Sequence, residues 1–362
     1  MLANTSKKEK TVLIAAAVLA VVGIGAWVCQ LMQGMRVTGL DNTIIWGLAI
    51  AVFFAIIAAG AGLLMLCGLS EYLGFMNDTQ RTQGIAFSLA AMATGGVLII
   101  MDLGNPAQFL YLIGSFNFTS FTVLDFWFLT LTMVAAVVYL IMARASMSTK
   151  AVGTIAAVLG VGLIVVEGIL LANNTSHHLW ASPMSVVSFL VGAFLGGSAL
   201  LAVIAPEHKK VFMVALVTSA LVTFAEVGTS LVAGTDLARS TMQSVVAGPF
   251  APYFYFQLVI GIVVPFALLV KTNRVVLAAL CGVVGLAAEK LWLLCAGETE
   301  IWVQMHHIGP LQATQQFSYV PTPVEVAITA GAIGIGVFLF LFIKNALYKT
   351  ADKSMSDGAA GE

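Results

Sequence analysis

The sequence predicts an all-α integral membrane protein with ten transmembrane helices. Three observations carry this. Of its 362 residues, 60% are hydrophobic and only 9% charged, against about 25% charged in an ordinary soluble domain. The apolar residues gather into runs of about 20, the length a helix needs to cross a bilayer. The basic residues sit almost entirely in alternate connections between those runs. A soluble enzyme is excluded, because no water-soluble fold of this size hides so much apolar surface, and disorder is excluded except at the tips. The net charge of −1, from 16 basic and 17 acidic residues, implies no nucleic-acid partner.

The ten runs are 11–33, 43–69, 82–101, 121–143, 151–172, 183–205, 211–233, 251–270, 274–295 and 323–344. The first follows Lys7, Lys8 and Lys10. It is too long for a signal-peptide core and lacks a small-x-small cleavage site, so it is read as a retained helix 1. An even count puts both termini on one side. With a cytoplasmic N-terminus, thirteen basic residues fall in inner segments and two, Arg36 and Arg239, in outer loops, while Lys290 lies within a helix. One missed span would swap the sides of everything after it, so this bias fixes both count and orientation: a multi-pass protein of the cytoplasmic membrane with both termini cytoplasmic. The outer loops 102–120, 173–182, 234–250 and 296–322 are long and nearly uncharged, and read as a docking surface. The tail from Ser354 to Glu362 is small and polar, and is expected to be disordered.

A faint repeat divides the single membrane domain, 1–362. Helix 2 carries Ala59-Gly60-Ala61-Gly62-Leu63-Leu64 and helix 6 carries Leu195-Gly196-Gly197-Ser198-Ala199-Leu200. Helices 5 and 9 each carry a Glu before an apolar stretch, at Glu167 and Glu289. Two parallel four-helix bundles are expected, helices 2–5 over 43–172 and helices 6–9 over 183–295, flanked by helices 1 and 10. Beyond 345 lies a cytoplasmic tail. The small residues permit close helix approach.

Ionisable residues inside the hydrocarbon layer are functional candidates by default. Here they are Glu167, Glu226, Glu289 and Lys290. The three Glu residues each fall about two-thirds of the way along an inside-to-outside helix, in the outer half. Asp102 ends helix 3, Asp125 opens helix 4 and Glu325 opens helix 10, all at the outer face. The inner halves carry almost no charge. This asymmetry predicts an outward-facing, proton-handling layer above an inert seal. Glu289 and Lys290 are adjacent and diverge by about 100° around a helix. They are therefore expected not to face each other, with Lys290 able to snorkel outward.

The histidines bear on cofactors. A membrane haem needs His side chains facing each other from within helices. His177, His178, His306 and His307 lie in outer loops and His208 in an inner one, so no haem is expected. The two His pairs suit a polar interface better than a metal site, and none is assigned. The four cysteines, Cys29, Cys67, Cys281 and Cys295, lie in apolar runs without C-x-x-C spacing, so no iron–sulfur cluster is expected in this chain. No phosphate loop, dinucleotide fingerprint or nucleophile elbow is present. From residues alone, a secondary transporter with midplane carboxylates and a quinone-linked membrane subunit both stand.

After helix 3 the chain reads Met101-Asp102-Leu103-Gly104-Asn105-Pro106-Ala107-Gln108-Phe109, then Asn117-Phe118-Thr119-Ser120, then Trp127 on the next helix. Trp46-Gly47 precedes the Ala/Gly-rich part of helix 2, Leu179-Trp180-Ala181-Ser182-Pro183 leads into helix 6, and Tyr319-Val320-Pro321-Thr322-Pro323-Val324-Glu325 opens helix 10. In their order, these segments resemble the NrfD/polysulfide-reductase family of membrane subunits, over roughly helices 2–10. The family shows D-L-G-R-P-x-x-F, N-x-T-S, L-W-x-S-P and Y-x-P-T-x-x-E. Asn105 replaces the usual Arg, helix 2 is apolar where some relatives carry His and Asn, and Glu167 lies near a position where some have Tyr.

The resemblance implies the quinone/quinol-reactive membrane anchor of an oxidoreductase used in anaerobic respiration. Its partners would be a ferredoxin-like iron–sulfur subunit and a molybdopterin catalytic subunit, besides membrane lipid. Quinone or menaquinone would be the substrate, near the outer face of the first bundle. Asp102 and Glu167 would serve as proton acceptors, and His178, Trp127, Trp180 and Asp125 as headgroup contacts. Glu226, Glu289 and Lys290 would form a proton route or a structural cluster. Asn105, Pro106 and Tyr319 would dock the partner. A purely structural anchor is a third reading.

Overall fold

The computed structural model describes the backbone of residues 7–305 and 318–359, and the side chains of residues 9–299 and 318–345. Among the described residues there is no strand, and ten helices are long and apolar enough to cross a membrane. They follow the ten apolar runs in order. They are α1 (Lys7–Gln33), α2 (Leu48–Leu73), α3 (Asp78–Asp102), α4 (Phe121–Arg144) and α5 (Lys150–Ala172). Then come α6 (Pro183–Ile204), α7 (Lys209–Val232), α8 (Ala251–Lys271), α9 (Val275–Met305) and α10 (Pro323–Ala359).

Local chemistry sets the ends. Asn77 and Gln80 form a reciprocal capping box at the start of α3, satisfying two backbone donors at once. Ser182 caps α6, with Pro183 in the first turn, where a missing N–H costs nothing. The α2 start has no cap of its own. Its orphan donors are taken by distant side chains: Glu298 of α9 accepts from Ile45 N at 3.2 Å and Trp46 N at 2.8 Å, and the Tyr319 hydroxyl accepts from Leu48 N at 2.8 Å. The apolar run from 43 therefore becomes helical only at Leu48.

Helices α2, α3, α4 and α5 pack in a closed circuit, and α6, α7, α8 and α9 in another. The two sets meet along α2 and α6, with α5 on α6 and α9 on α2 completing the interface. A β-carbon on Gly62 would stand 1.9 Å from the Ala193 carbonyl oxygen, and one on Gly197 would stand 2.3 Å from the Gly62 carbonyl carbon. Only glycine permits that approach. Helix α1 packs on α10, which also lies against α3. The Lys344–Glu9 ion pair, 2.8 Å, joins the start of α1 to the later part of α10, so the N-terminus and the α10 exit share one face. We call it the terminal face, and the other the opposite face.

Three differences from the sequence reading stand out. Helix α10 continues to Ala359 instead of ending in a disordered tail at Ser354, because residues 345–357 contain neither Pro nor Gly to stop it. The connections at the opposite face hold short helices, Phe109–Gly114 and Asp236–Val246. Midway in α8 the segment Gln257–Val263 is π-helical, ending two residues before Pro265, whose ring and missing N–H disrupt the α-helical bonding of the preceding turn.

Candidate functional site

The intramembrane polar groups lie in one layer. Asp125 is four residues into α4 and Glu167 five before the end of α5, which puts both roughly 6–8 Å below the opposite face at about 1.5 Å per residue. Ser188 of α6, Glu226 of α7 and Gln257 of α8 follow the same rule.

Within the first circuit, Glu167 is 0% exposed and neither carboxyl oxygen meets a hydrogen-bond donor among the described residues. Asp125 is also buried, and its Oδ1 is likewise unmatched. Asp125 and Lys290 are the charged neighbours whose fields reach Glu167. Buried carboxyl oxygens without donors are costly to a fold.

The second circuit holds the opposite case, a polar cluster that is fully tied. Glu289 Oε1 accepts from the Ser188 hydroxyl at 2.7 Å and from Lys290 Nζ at 3.0 Å, and its Oε2 accepts from Gln257 Nε2 at 3.2 Å. Lys290 also donates to Ser188 Oγ at 2.9 Å and lies 4.1 Å from the Phe189 ring centroid. Gln257 completes the set through Thr223 and the Trp292 indole. This corrects two expectations. Glu289 and Lys290 do face each other, because their long stems bring diverging Cβ positions together at Ser188. Lys290 is wholly buried instead of snorkelling, since two acceptors and an aromatic face satisfy its ammonium where it stands.

Glu226, 7% exposed, lines a cavity of about 300 Å³ with His178, Ser182, Thr229, Ser230 and Thr241. Glu289 and Lys290 are its charged neighbours. His178 therefore belongs with Glu226 of the second circuit, away from Glu167.

Asp102 lies apart from both, near Glu298 and Glu325. There the Tyr319 hydroxyl donates a short hydrogen bond to Glu325, whose other oxygen accepts from Gly39 N at 2.8 Å. Tyr319 is 2% exposed. It ties the 318–322 segment to α2, so its side chain is not the outward docking group expected from sequence. Burial, then the bond to Glu325, pushes its phenol above the ordinary tyrosine range.

The tryptophans separate too. Trp127 Nε1 donates to Ser115 O at 3.2 Å and its ring stacks on Phe116 at 5.7 Å, pinning the loop to α4. Trp180 is 2% exposed, donates to Leu293 O at 2.8 Å, stacks on Trp46 at 5.6 Å and meets His177, whose Nδ1 lies 2.8 Å from Gly297 O. It docks the α5–α6 connection on α9. Asn105 is exposed and caps the Pro106–Gln108 turn through Ala107 N.

Sequence reading missed a cluster at the terminal face. Glu71 accepts from Tyr139 and Thr149, both at 2.7 Å, and pairs with Arg81 at 3.0 Å. The helix ends at the terminal face are thus not free of charge, and the ion pair closes the first circuit there. It also missed Ser188 and Gln257, single polar residues without spacing to mark them. Among the described residues no three His, Cys, Asp or Glu side chains are placed to share a metal. His306 and His307 lie outside the described residues.

Comparison with known proteins agrees with this architecture. The family model described as "Polysulphide reductase, NrfD" matches residues 36–301. A putative dimethyl sulfoxide reductase membrane subunit of Halobacterium salinarum (strain ATCC 700922 / JCM 11081 / NRC-1) is 30% identical over 217 residues. The match covers 52% of this chain and 49% of that protein, so it spans about half of each. The family match takes in α2 to α8 and nearly all of α9, with Asp125, Glu167, Glu226 and Glu289, and stops short of Glu325 in α10. The chain is a multi-pass integral membrane protein and belongs to the NrfD polysulphide reductase family.

Proposed function

We propose that this chain is the quinone/quinol-reactive membrane subunit of a respiratory oxidoreductase, and that the quinol headgroup is oxidised beside Glu167 and Asp125. One observation carries this reading: two buried carboxyls of the first circuit near the opposite face, Glu167 with both oxygens and Asp125 with Oδ1 unmatched by any donor among the described residues. A quinol supplies two hydroxyl donors, and its oxidation needs a base within hydrogen-bond reach of each. Glu167 takes the proton of one hydroxyl and Asp125 that of the other, each O–H bond breaking as a carboxyl O–H forms, and the Lys290 charge steadies the anionic state of the pair. The same carboxyls return protons when the reaction runs as quinone reduction.

The two electrons pass to a ferredoxin-like iron–sulfur subunit at the opposite face, and from there to a molybdopterin catalytic subunit. Family membership and the relative's description as a reductase membrane subunit support this assembly. The segment around Asn105 and Pro106, which exposes Leu110, Tyr111 and Phe116, supplies the docking surface. The terminal face is cytoplasmic, as the thirteen-to-two distribution of basic residues supports.

Gentle detergent purification of the tagged chain, with mass spectrometry of what accompanies it, tests the assembly. A cysteine-rich iron–sulfur protein in stoichiometric amount is the expected result. A monodisperse chain that is alone at native expression would contradict it.

A further inference from the structure

The α6–α7 and α8–α9 connections meet at the terminal face, in the second circuit, and the reaction above uses neither. Lys209, in the first turn of α7, crosses to the end of α8. Its Nζ donates to Leu269 O at 3.3 Å and to Asn273 Oδ1 at 2.7 Å. Asn273 has φ 54°, a left-handed turn that Asn adopts more readily than most residues. The anchored Asn273 therefore sits between Lys271, in the last turn of α8, and Arg274, directly before α9. Lys210 follows Lys209 on α7. This frame is also tied to the first circuit: Gln80 Nε2 donates to Glu207 at 2.6 Å, and His208 Nε2 lies 2.6 Å from Phe75 O.

Four cations thus gather in two adjoining connections. Lys210, Lys271 and Arg274 are exposed, and among the described residues no carboxylate forms an ion pair with any of the four. The acid beside them in sequence, Glu207, is engaged by Gln80. Elsewhere on this face Arg81 is held by Glu71 and Asp78, and Lys344 by Glu9. The helix surface next to the cluster is exposed and apolar. Val214 lies one turn below Lys210 on the same side of α7, Phe266 and Val270 lie along α8, and Val276 opens α9.

We propose that this cluster is a binding site for the headgroup phosphate of an anionic phospholipid, whose acyl chains lie along Val214, Phe266, Val270 and Val276. Unmatched cations above exposed hydrocarbon suit an amphiphile with an anionic head and alkyl tails. A zwitterionic head brings an ammonium of its own into a group that is already positive. A soluble phosphate gains nothing from the apolar strip. The assignment is independent of the quinol reading.

The test uses the purified full chain, with any subunits that accompany it, stripped of native lipid by detergent exchange. Phosphatidylglycerol and phosphatidylcholine are titrated separately, and bound lipid is counted by native mass spectrometry. Phosphatidylglycerol should bind more tightly, and inorganic phosphate should not displace it. Each basic residue in the headgroup layer is worth about fivefold in affinity, so Lys271→Gln/Arg274→Gln should weaken phosphatidylglycerol binding roughly 30-fold and leave phosphatidylcholine binding unchanged. Lys10→Gln/Lys150→Gln removes two exposed cations of the same face outside the cluster, and should leave phosphatidylglycerol binding unchanged. If the first double variant does not fold, Lys210→Gln decides the matter, with a loss of about fivefold. Equal binding of the two lipids, displacement by inorganic phosphate, or unchanged affinity in a folded variant of the cluster would overturn the site. So would equal losses in the two double variants, which would mean that only the overall charge of the face attracts lipid.

Discussion

Lys290 turns back along its own helix to meet Glu289, its neighbour in sequence, with Nζ 3.0 Å from Oε1 and both side chains buried. The pair places the only cation of this buried layer, among the described residues, within the fields of Glu167 and Glu226. Taking one partner from a buried ion pair is costly because the other is left uncompensated. Lys290→Met should destabilise the solubilised protein by about 3–5 kcal/mol, and the double variant Glu289→Gln/Lys290→Met by less. Thermal unfolding in detergent reads both; a single variant as stable as the parent would contradict the assigned role.

The second expectation concerns Gly297 and Trp180. A β-carbon on Gly297 would lie 2.0 Å from Trp180 Nε1. The indole would have to leave its bond to Leu293 O and its stack on Trp46. Gly297→Ala should therefore cost about 1–3 kcal/mol and raise the exposure of Trp180. Tryptophan fluorescence during unfolding checks this, and an unshifted spectrum with unchanged stability would count against the packing described.

These two cases mark what the sequence makes legible. Ten apolar runs and a Glu inside several of them are visible in one dimension, because the bilayer imposes length and penalises charge. The family resemblance likewise rests on short segments at helix ends, and it holds. Lateral packing is another matter. Hydropathy does not record that Asp125 of α4 neighbours Glu167 of α5, or that His178 joins Glu226 instead of Asp102. Helical angle misleads at Lys290 because it describes Cβ directions, while the four-carbon stem reaches well past them. Tyr319 has the sequence setting of a loop residue open to a partner, yet its hydroxyl is consumed by Glu325 and the α2 start.

Tyr319 gives a pH expectation. Its phenol is raised in the folded chain by burial first and the Glu325 bond second. The unfolded phenol ionises near 10, so the folded state holds the proton more tightly. The stability this brings is fully present below about pH 10 and is lost progressively as pH rises above it. Tyr319→Phe should cost about 1–2 kcal/mol at neutral pH through the broken bonds to Glu325 and Leu48 N, and should flatten the alkaline decline. Unfolding followed from pH 7 to 11 measures the slope; identical slopes would refute the assignment.

If the quinol's protons leave on the same face as its electrons, no net charge crosses the membrane. Complex reconstituted in sealed vesicles and supplied with quinol should therefore build no potential attributable to this subunit, as a voltage-sensitive dye reports. A potential that scales with turnover would mean that the quinol's protons leave on the other face instead.

The central claim is that Glu167 is the base at the quinol site. Glu167→Gln preserves size and burial while removing the charge and the proton acceptor. The measurement is quinol oxidation by the purified complex carrying this substitution, with partner stoichiometry determined on the same sample. Full assembly with turnover reduced by roughly 10²–10⁴-fold is the expected result. Normal turnover in a fully assembled complex would contradict it.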